Sequence, residues 1–300
     1  MSNVSKWISA MRLRTLPLSI SGIIVGGCLA AYNGFFIPLI FSLAILTTLS
    51  LQILSNLAND YGDGVKGTDN EDRIGPMRAL QSGAITAKQM LFAIKINVVI
   101  TLILACALIY VSFGSENFLL SLLFFVLGIG CVVAAIKYTV GNSAYGYRGL
   151  GDIFVFVFFG LVSVIGSYVL FVKRIDGITI LPAIAIGLLS TGVLNLNNMR
   201  DIASDAKSNK NTLVVKLGSK RAKNYHYFLV GGAMVLTALF GVLYYKSPWN
   251  FIFLVVFMPL IKHIITVYKN EIPKDLDPEL KKLALSTFFL ALLLGIGRLL

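Results

Sequence analysis

The chain has 300 residues, of which 57% are hydrophobic and only 13% are charged, and its mean hydropathy is +0.82. A soluble domain is usually about 45–50% apolar and about 25% charged, so this composition excludes an ordinary soluble enzyme and indicates one polytopic membrane domain. The net charge of +12 does not indicate nucleic-acid binding, because the basic residues lie in short segments between apolar runs, where membrane topology explains them.

Nine apolar segments follow one another along the chain, each near the length that crosses a bilayer. The predicted spans are residues 16–32, 36–57, 89–112, 118–136, 153–172, 178–199, 227–245, 249–268 and 283–300. A spanning segment must satisfy its backbone hydrogen bonds internally, and these segments are too long and too uniformly apolar for barrel strands. We therefore predict an all-α polytopic membrane protein with nine transmembrane helices.

The basic residues predict the orientation of these spans. With the N-terminus in the cytoplasm, only Lys173, Arg174 and Lys246 fall in outer loops, and most of the other basic residues fall in inner segments. The C-terminus is then outside, and the long polar loops lie on the cytoplasmic side of a bacterial plasma (inner) membrane. We expect the functional site on that side.

The histidines and cysteines give no sign of a metal centre. His226 and His263 stand alone near span ends, without a partner at ligand spacing. Cys28, Cys106 and Cys131 lie inside apolar runs with no C-x-x-C spacing, which is typical of small buried residues.

Two acidic segments end long apolar runs. The first acidic segment, NLANDYGDGVKGTD, covers Asn56–Asp69, and the second acidic segment, NLNNMRDIASD, covers Asn195–Asp205. Both open with N-L-x-N, and both follow spans that run from outside to inside. The shared pattern and its four-span offset indicate a single domain, residues 1–300, with two four-helix halves, about 16–136 and 153–268, and a ninth helix, 283–300.

The spacing inside each acidic segment predicts a shared helix face. Asn56, Asp60 and Asp63 stand at i, i+4 and i+7, and the second segment repeats this approximately at i, i+4 and i+8 with Asn197, Asp201 and Asp205. Asp69 follows a glycine-rich turn and can fold back over the first face.

Carboxylates clustered beside a low-dielectric region repel one another and need a cation. Mg2+ typically binds one or two carboxylates together with substrate phosphates, and nearby basic residues can hold the remaining phosphate charge. The candidates for that role are Lys66, Arg73, Arg78, Lys207 and Lys210. The alternative is that the acids only cap helices and pair with loop cations, which we prefer for Glu71 and Asp72.

A third polar patch, KYTVGNSAYGYRGLGD, joins the fourth and fifth spans from Lys137 to Asp152. Its tyrosine rings could stabilise a developing cation through their π faces, and Lys137 or Arg148 could hold an anion. The alternative is that these tyrosines belong to the aromatic belt of the membrane interface.

NDYGDGVKGTD together with RDIASD resembles the UbiA superfamily of intramembrane prenyltransferases. The family pattern is N-D-x-x-D-x-x-x-D, and here Gly67 occupies the last acidic position while Asp69 comes two residues later. With DRIGPMRALQSG, AYGYRGLGD and RLRTLPLSISG, the chain is similar over nearly its whole length to the branch that prenylates 1,4-dihydroxy-2-naphthoate.

The resemblance implies nine helices around a central cavity that opens to the cytoplasm and to lipid. It implies Mg2+ as cofactor, polyprenyl diphosphate and 1,4-dihydroxy-2-naphthoate as substrates, and demethylmenaquinone as product after loss of CO2. No nucleic acid and no obligate protein partner is expected beside the bilayer.

Roles follow for individual residues from the resemblance and from the spacing. The metal ligands would be Asp60, Asp63, Asp69, Asp201 and Asp205. The substrate-binding residues would be Asn56, Lys66, Arg73, Arg78, Tyr145, Arg148, Asp152, Asn197 and Lys210. The catalytic residues would be Asp60, Asp63, Asp201, Asp205, Lys137 and Tyr138.

Other functions stay open from the sequence. Within the same family, the acceptor could be 4-hydroxybenzoate or homogentisate. A secondary transporter would also show an internal repeat and polar residues in the membrane, but its ionisable groups are expected near the middle of the bilayer. A non-catalytic lipid-binding protein would not need two acidic faces.

Overall fold

The computed structural model describes residues 3–69 and 74–300. Arg73, with Glu71 and Asp72, lies outside the described residues, so its predicted role remains a prediction. Within the described part of the chain there is no strand, and nine helical segments are long and apolar enough to cross a membrane. The predicted all-α membrane fold is confirmed.

The nine segments are labelled in chain order. They are α1 (Val4–Tyr32), α2 (Pro38–Val65), α3 (Ala87–Phe113), α4 (Phe118–Lys137), α5 (Gly151–Val172), α6 (Gly177–Arg200), α7 (Ser219–Leu243), α8 (Pro248–Lys269) and α9 (Pro273–Leu299). Two short helices, Ile202–Lys207 and Leu213–Leu217, follow α6. The division into two four-helix halves stays a prediction.

Several helices are longer than the apolar runs that predicted them. Helix α2 continues to Val65 rather than ending at residue 57, α7 begins at Ser219 rather than at 227, and α9 begins at Pro273 rather than at 283. Within α1, the predicted span 16–32 coincides with the α-helix Leu16–Tyr32, and a separate short helix, Asn3–Met11, precedes it. Hydropathy detects only the part of a helix that matches the hydrocarbon thickness. The backbone hydrogen bonds of a helix need no lipid, so the helix continues into the polar interface.

Three helices form the centre of the bundle. In the most apolar 18-residue stretch of each helix, the buried share is 61% for α6, 56% for α1 and 50% for α9. The corresponding shares for α3 and α4 are 17% and 11%. Helix α9 packs along both α1 and α6, and α7 packs behind α6. The apolar surfaces of α3 and α4 are therefore left for lipid.

Helix α5 departs from α-helical geometry along most of its length. Residues Phe156–Gly166 form a π-helix between two short α-helical ends. π-Helical segments of this kind are uncommon and occur frequently at functional sites. Glycines bring α5 close to its neighbours, because a Cβ on Gly160 would lie 2.6 Å from the Gly187 Cα of α6, and one on Gly26 would lie 2.6 Å from the carbonyl oxygen of Val164.

We predict that Gly160→Ala destabilises the protein by about 1–3 kcal/mol, because the new methyl group would have to push the α6 backbone away. The measurement is the midpoint of thermal unfolding in detergent. Gly130→Ala in α4 is the matched control, since a Cβ there meets nothing within 4 Å. Equal effects of the two substitutions would contradict the close α5–α6 contact.

Candidate active site

A cavity of about 920 Å³ lies between α1–α6 and α9. Helices α7 and α8 contribute nothing to its lining and pack behind α6 and α9. Its body is apolar, with Phe124 and Cys131 from α4 and Phe158 from α5, and one end is lined by charged and amide side chains. The predicted site residues among the lining are Asn56, Asp63, Arg78, Tyr138, Tyr145, Asn197 and Lys210.

Lys210 brings the two acidic segments together. Its Nζ lies 3.7 Å from Asp63 Oδ2 and 3.7 Å from Asp205 Oδ1, and the lysine side chain is only 12% exposed. Two carboxylates that are far apart in sequence therefore share one buried ammonium group. These two distances place Asp63 of the first acidic segment and Asp205 of the second at one location.

One ammonium group does not offset both carboxylates. Burial raises the pKa of Asp205 to about 6, although Lys210 acts in the opposite direction. Burial alone would lower the pKa of Lys210, but Asp63 and Asp205 outweigh it, so the pKa of Lys210 is raised and the side chain stays charged. Asp63, Asp205 and Lys210 taken together therefore carry one excess negative charge, and Lys66 is a further cation that acts on Asp63.

This donor set is suited to a divalent ion. Asp205 Oδ2 is buried and has no hydrogen-bond partner, and carboxylate oxygens are the ligands that Mg2+ prefers. Among the described residues, no three His, Cys, Asp or Glu side chains are close enough to hold an ion by themselves. An ion here would need further ligands from a bound substrate, as Mg2+ does when it binds phosphates.

Both acidic segments end in the same kind of helix terminus. Gly67 (φ 73°) and Asn209 (φ 54°) adopt the left-handed conformation that closes a helix. After them the N–H of Thr68 donates to the carbonyl oxygen of Asp63, and that of Lys210 donates to the carbonyl oxygen of Asp205. At residue 67, glycine adopts this conformation without steric cost.

Tyr147 was not among the predicted site residues, yet it contacts both sides of the cluster. Its hydroxyl donates to Asp63 Oδ1 at 2.7 Å and accepts from Thr68 Oγ1 at 2.6 Å. Lys66 Nζ lies 4.0 Å from the ring centroid, and Lys210 Nζ lies 5.5 Å from it. Burial raises the pKa of Tyr147 above its usual range, so the hydroxyl stays a donor. The motif AYGYRGLGD contains this tyrosine, but no spacing rule distinguished it from Tyr145.

The other residues of the first acidic segment have separate partners. Asp69 Oδ2 lies 3.8 Å from Arg78 Nε, which supports Arg78 as a cation at this end of the cavity. Asn56 donates to the carbonyl oxygen of Met11 and to Thr15 Oγ1, so its amide binds the break in α1 between the helices Asn3–Met11 and Leu16–Tyr32. Lys66 Nζ donates to the carbonyl oxygen of Thr139 at 2.7 Å and does not line the cavity.

Asp60 faces away from the cavity. Its two carboxylate oxygens accept hydrogen bonds from the backbone N–H groups of Ala79 and Leu80, both at 3.2 Å, and the residue is 1% exposed. Helical spacing put Asp60 near Asp63 on a helix, but it could not show that a loop would cover Asp60. The structure gives Asp60 the geometry of an anchor for the segment that carries Arg78.

Arg200 organises the second acidic segment, and sequence reasoning missed it. Its guanidinium donates to both Asp201 oxygens at 2.9 and 2.6 Å, to Asp277 Oδ1 at 2.5 Å and to Asn197 Oδ1 at 3.0 Å. Arg200 is 1% exposed although it is fully charged. Asp201 is therefore turned towards α9, while Asp205 faces Lys210.

An aromatic wall runs from the charged end into the apolar body of the cavity. Tyr138 and Tyr145 are packed edge to face at 5.3 Å, Tyr145 stacks on Phe154 at 3.9 Å, and Phe154 neighbours Phe158 at 6.1 Å. The Tyr145 hydroxyl donates to the carbonyl oxygen of Ala134, which fixes the ring. Burial raises the pKa of both tyrosines, so both are neutral rings, and both line the cavity.

The rest of the third polar patch does not reach the cavity. Lys137 and Arg148 are exposed, and Asp152 is buried beside Tyr225 with one carboxylate oxygen unpartnered. None of the three lines the cavity. The structure does not bring the predicted anion-binding side chains of this patch to the aromatic wall.

The expectation that the two histidines stand alone is wrong. His226 Nε2 and His263 Nε2 are 2.8 Å apart, although they come from α7 and α8. Nothing in the sequence separates this contact from two isolated histidines, because it depends on how two helices pack.

The chain matches the family model of the UbiA prenyltransferase family over residues 19–293. The chain belongs to the UbiA prenyltransferase family. It is 45% identical to the 1,4-dihydroxy-2-naphthoate octaprenyltransferase of Escherichia coli, over 99% of this chain and 96% of that protein. It is 42% identical to the protein of the same name from Haemophilus influenzae, over 97% of this chain and 94% of that protein.

Solved structures of UbiA homologs share the fold. The structure of a homolog from Aeropyrum pernix K1 has a TM-score of 0.69 at 15% identity and covers 96% of this chain and 98% of that chain. The Archaeoglobus fulgidus homolog bound to GPP and Mg2+ has a TM-score of 0.66 at 14% identity and covers 96% of this chain and 99% of that chain. The resemblance seen in the sequence is confirmed, and this UbiA family member is an integral membrane prenyltransferase.

We predict that Arg200→Met destabilises the protein more than Arg200→Met combined with Asp201→Asn, because the single change leaves a buried carboxylate without its partner. A coupling of about 0.5–3 kcal/mol is expected for such a contact. The measurement is thermal unfolding of the two single variants and the double variant. Additive effects would show that the Arg200–Asp201 contact contributes nothing beyond its parts.

Proposed function

We propose that this chain transfers a polyprenyl group from polyprenyl diphosphate to 1,4-dihydroxy-2-naphthoate, with loss of CO2 and diphosphate. The observation that carries the proposal is the Asp63–Lys210–Asp205 contact at one end of a long apolar cavity. Such a site can hold a diphosphate at its charged end and an isoprenoid tail along its apolar body. The relatives named as octaprenyltransferases for this naphthoate support the choice of acceptor.

The charged end would bind the diphosphate from several sides. Lys210 and Arg78 line the cavity and can donate charge-assisted hydrogen bonds to phosphate oxygens. Asp63 and Asp205 would hold Mg2+, with Asp69 beside Arg78. Bound Mg2+ would offset the charge that develops on the leaving diphosphate. Tyr147 keeps Asp63 oriented through its hydrogen bond.

The aromatic wall would act on the other half of the reaction. When the allylic carbon–oxygen bond breaks, its electron pair leaves with the diphosphate and a positive charge remains on the prenyl carbon. The faces of Tyr138, Tyr145 and Phe154 can stabilise that charge, and the apolar body of the cavity excludes water. The naphthoate ring then forms the new carbon–carbon bond, and the carboxylate leaves as CO2 while its bonding electrons stay on the ring.

We predict that detergent-purified protein, without any ion gradient, converts polyprenyl diphosphate and 1,4-dihydroxy-2-naphthoate to a prenylated, decarboxylated quinol. Activity should stop with EDTA and return with Mg2+, because the carboxylates otherwise repel the diphosphate. Products are identified by mass spectrometry, with 4-hydroxybenzoate and homogentisate tested in parallel. A product formed only from one of these other acids would reject the naphthoate, and transport of a solute without any product would reject the transferase.

In the same assay, Lys210→Ala is expected to raise the KM for the diphosphate by about tenfold or more, since a hydrogen bond to a charged group contributes about 1.5–3 kcal/mol. The KM for the naphthoate should change little. Lys137→Ala is the matched control, because that lysine is exposed and does not line the cavity. An equal loss in both variants would mean that the third polar patch takes part after all.

We propose that the N-terminus and the charged end of the cavity face the cytoplasm of a bacterial inner membrane. The support is the distribution of basic residues, with Lys173, Arg174 and Lys246 alone in the outer loops. Single cysteines at two exposed serines test it in a background without Cys28, Cys106 and Cys131. In intact spheroplasts, a membrane-impermeant maleimide should label Ser115→Cys, between α3 and α4, and should leave Ser143→Cys, between α4 and α5, unlabelled. The reverse pattern would invert the topology.

A further inference from the structure

A chain of buried polar side chains joins four helices behind the cavity wall. Asn195 Nδ2 of α6 lies 3.3 Å from His226 Nδ1 of α7, and His226 Nε2 lies 2.8 Å from His263 Nε2 of α8. His263 Nδ1 lies 2.6 Å from Glu279 Oε2 of α9. All four residues are at most 2% exposed. We call this the α6–α9 polar chain.

The hydrogen bonds of the α6–α9 polar chain have one consistent direction. Asn195 Nδ2 also donates to the carbonyl oxygen of Ala222, so His226 Nδ1 accepts and its Nε2 carries the proton. His263 Nε2 then accepts, and His263 Nδ1–H donates to the Glu279 carboxylate. Both rings are satisfied as neutral histidines. At its other end, the α6–α9 polar chain reaches Lys282, whose Nζ donates to Glu279 Oε1 at 2.5 Å. Lys282 lines the cavity.

The same pair of helices is joined a second time. Asp277, two residues before Glu279 in α9, accepts a hydrogen bond from Arg200, which holds Asp201 at the end of α6. Arg200 therefore joins α6 to α9 directly, whereas Asn195, five residues earlier in α6, is joined to Glu279 through the histidines of α7 and α8.

Apolar packing alone would not define that position. Around the polar chain lies a small cluster of buried residues, namely Leu196, Met199, Val214, Ala222, Val267 and Leu276. Such contacts are non-directional, so several helix registers would bury nearly the same area. A buried polar chain adds little net stability, but its hydrogen bonds form only when the side chains lie at defined distances and angles.

We propose that the α6–α9 polar chain positions the second acidic segment, so that Asp205 and Lys210 meet Asp63 in the arrangement that binds a metal diphosphate. The inference rests on the diphosphate half of the proposed function and is independent of the acceptor. Asn195, His226, His263 and Glu279 are positioning residues, because none of them lines the cavity.

The test is the binding of inorganic pyrophosphate with Mg2+ to the purified full-length protein, measured by calorimetry. Glu279→Leu removes the acceptor at the end of the chain and is expected to weaken binding by about tenfold, the usual lower limit for residues that orient metal ligands. Glu279→Gln keeps an oxygen that can accept from His263 and should stay within about threefold of the unsubstituted protein.

Thr287→Val in α9 is the matched control. Thr287 is fully buried and donates only within its own helix, to the carbonyl oxygen of Leu283, so its loss should leave pyrophosphate binding unchanged. In the prenyl-transfer assay, Glu279→Leu should raise the KM for the diphosphate and leave the KM for the aromatic acid unchanged. A general loss of folding would lower the apparent kcat and leave both KM values unchanged.

The outcomes separate the two proposals. If the unsubstituted protein does not bind Mg2+ and pyrophosphate, the proposed diphosphate site is wrong, and the inference is wrong with it. If it binds and folded Glu279→Leu binds equally well, only the inference is overturned. If Glu279→Leu does not fold, His263→Asn, which is too short to reach both neighbours, replaces it. Failure of both variants to fold would assign the polar chain to folding alone and would also overturn the inference.

Discussion

The contact on which the site depends is one buried ammonium group between two carboxylates. The segments that carry Asp63 and Asp205 could not approach each other in a low-dielectric setting without a cation between them, because their repulsion grows as water is removed. Lys210 supplies one positive charge, and Asp205 Oδ2 remains without a partner. The same constraint thus brings the end of α2 and the segment after α6 together and leaves one carboxylate oxygen of Asp205 available to an ion.

The fold separates this charged end from an apolar body, and each part is fixed by a different kind of contact. Ion pairs and hydrogen bonds hold the charged end, including the bonds of Arg200 to Asp201 and Asp277. Close glycine contacts hold the π-helical α5, which carries Phe154 and Phe158 along the apolar body. A ligand with an anionic head and a long hydrocarbon tail matches this division.

The sequence predicted what depends on local pattern and missed what depends on packing. Among the described residues, hydropathy located each of the nine helices long enough to cross a membrane, because a bilayer imposes one length and one polarity on every span. Helical spacing put Asp60 and Asp63 together, but only the tertiary structure shows that Asp60 is covered by a loop while Asp63 lines the cavity. Tyr147 lies in the 3₁₀ turn Tyr145–Arg148, which is too short to show a periodic pattern. The His226–His263 contact depends on how α7 and α8 are rotated against each other, and no pattern in the sequence specifies that rotation.

Substitutions are expected to act differently at Asp60 and at residues 79 and 80, because Asp60 contributes a side chain to their contact and the two partners contribute only backbone groups. Its carboxylate is bound by the backbone N–H groups of residues 79 and 80, and every amino acid except proline supplies such a group. Changes of side chain at those two positions leave both donors in place, provided that the new side chains fit. An apolar substitution at Asp60 removes both acceptors at once. The position of the segment that carries Arg78 therefore depends on a side chain of α2 and not on the side chains of residues 79 and 80.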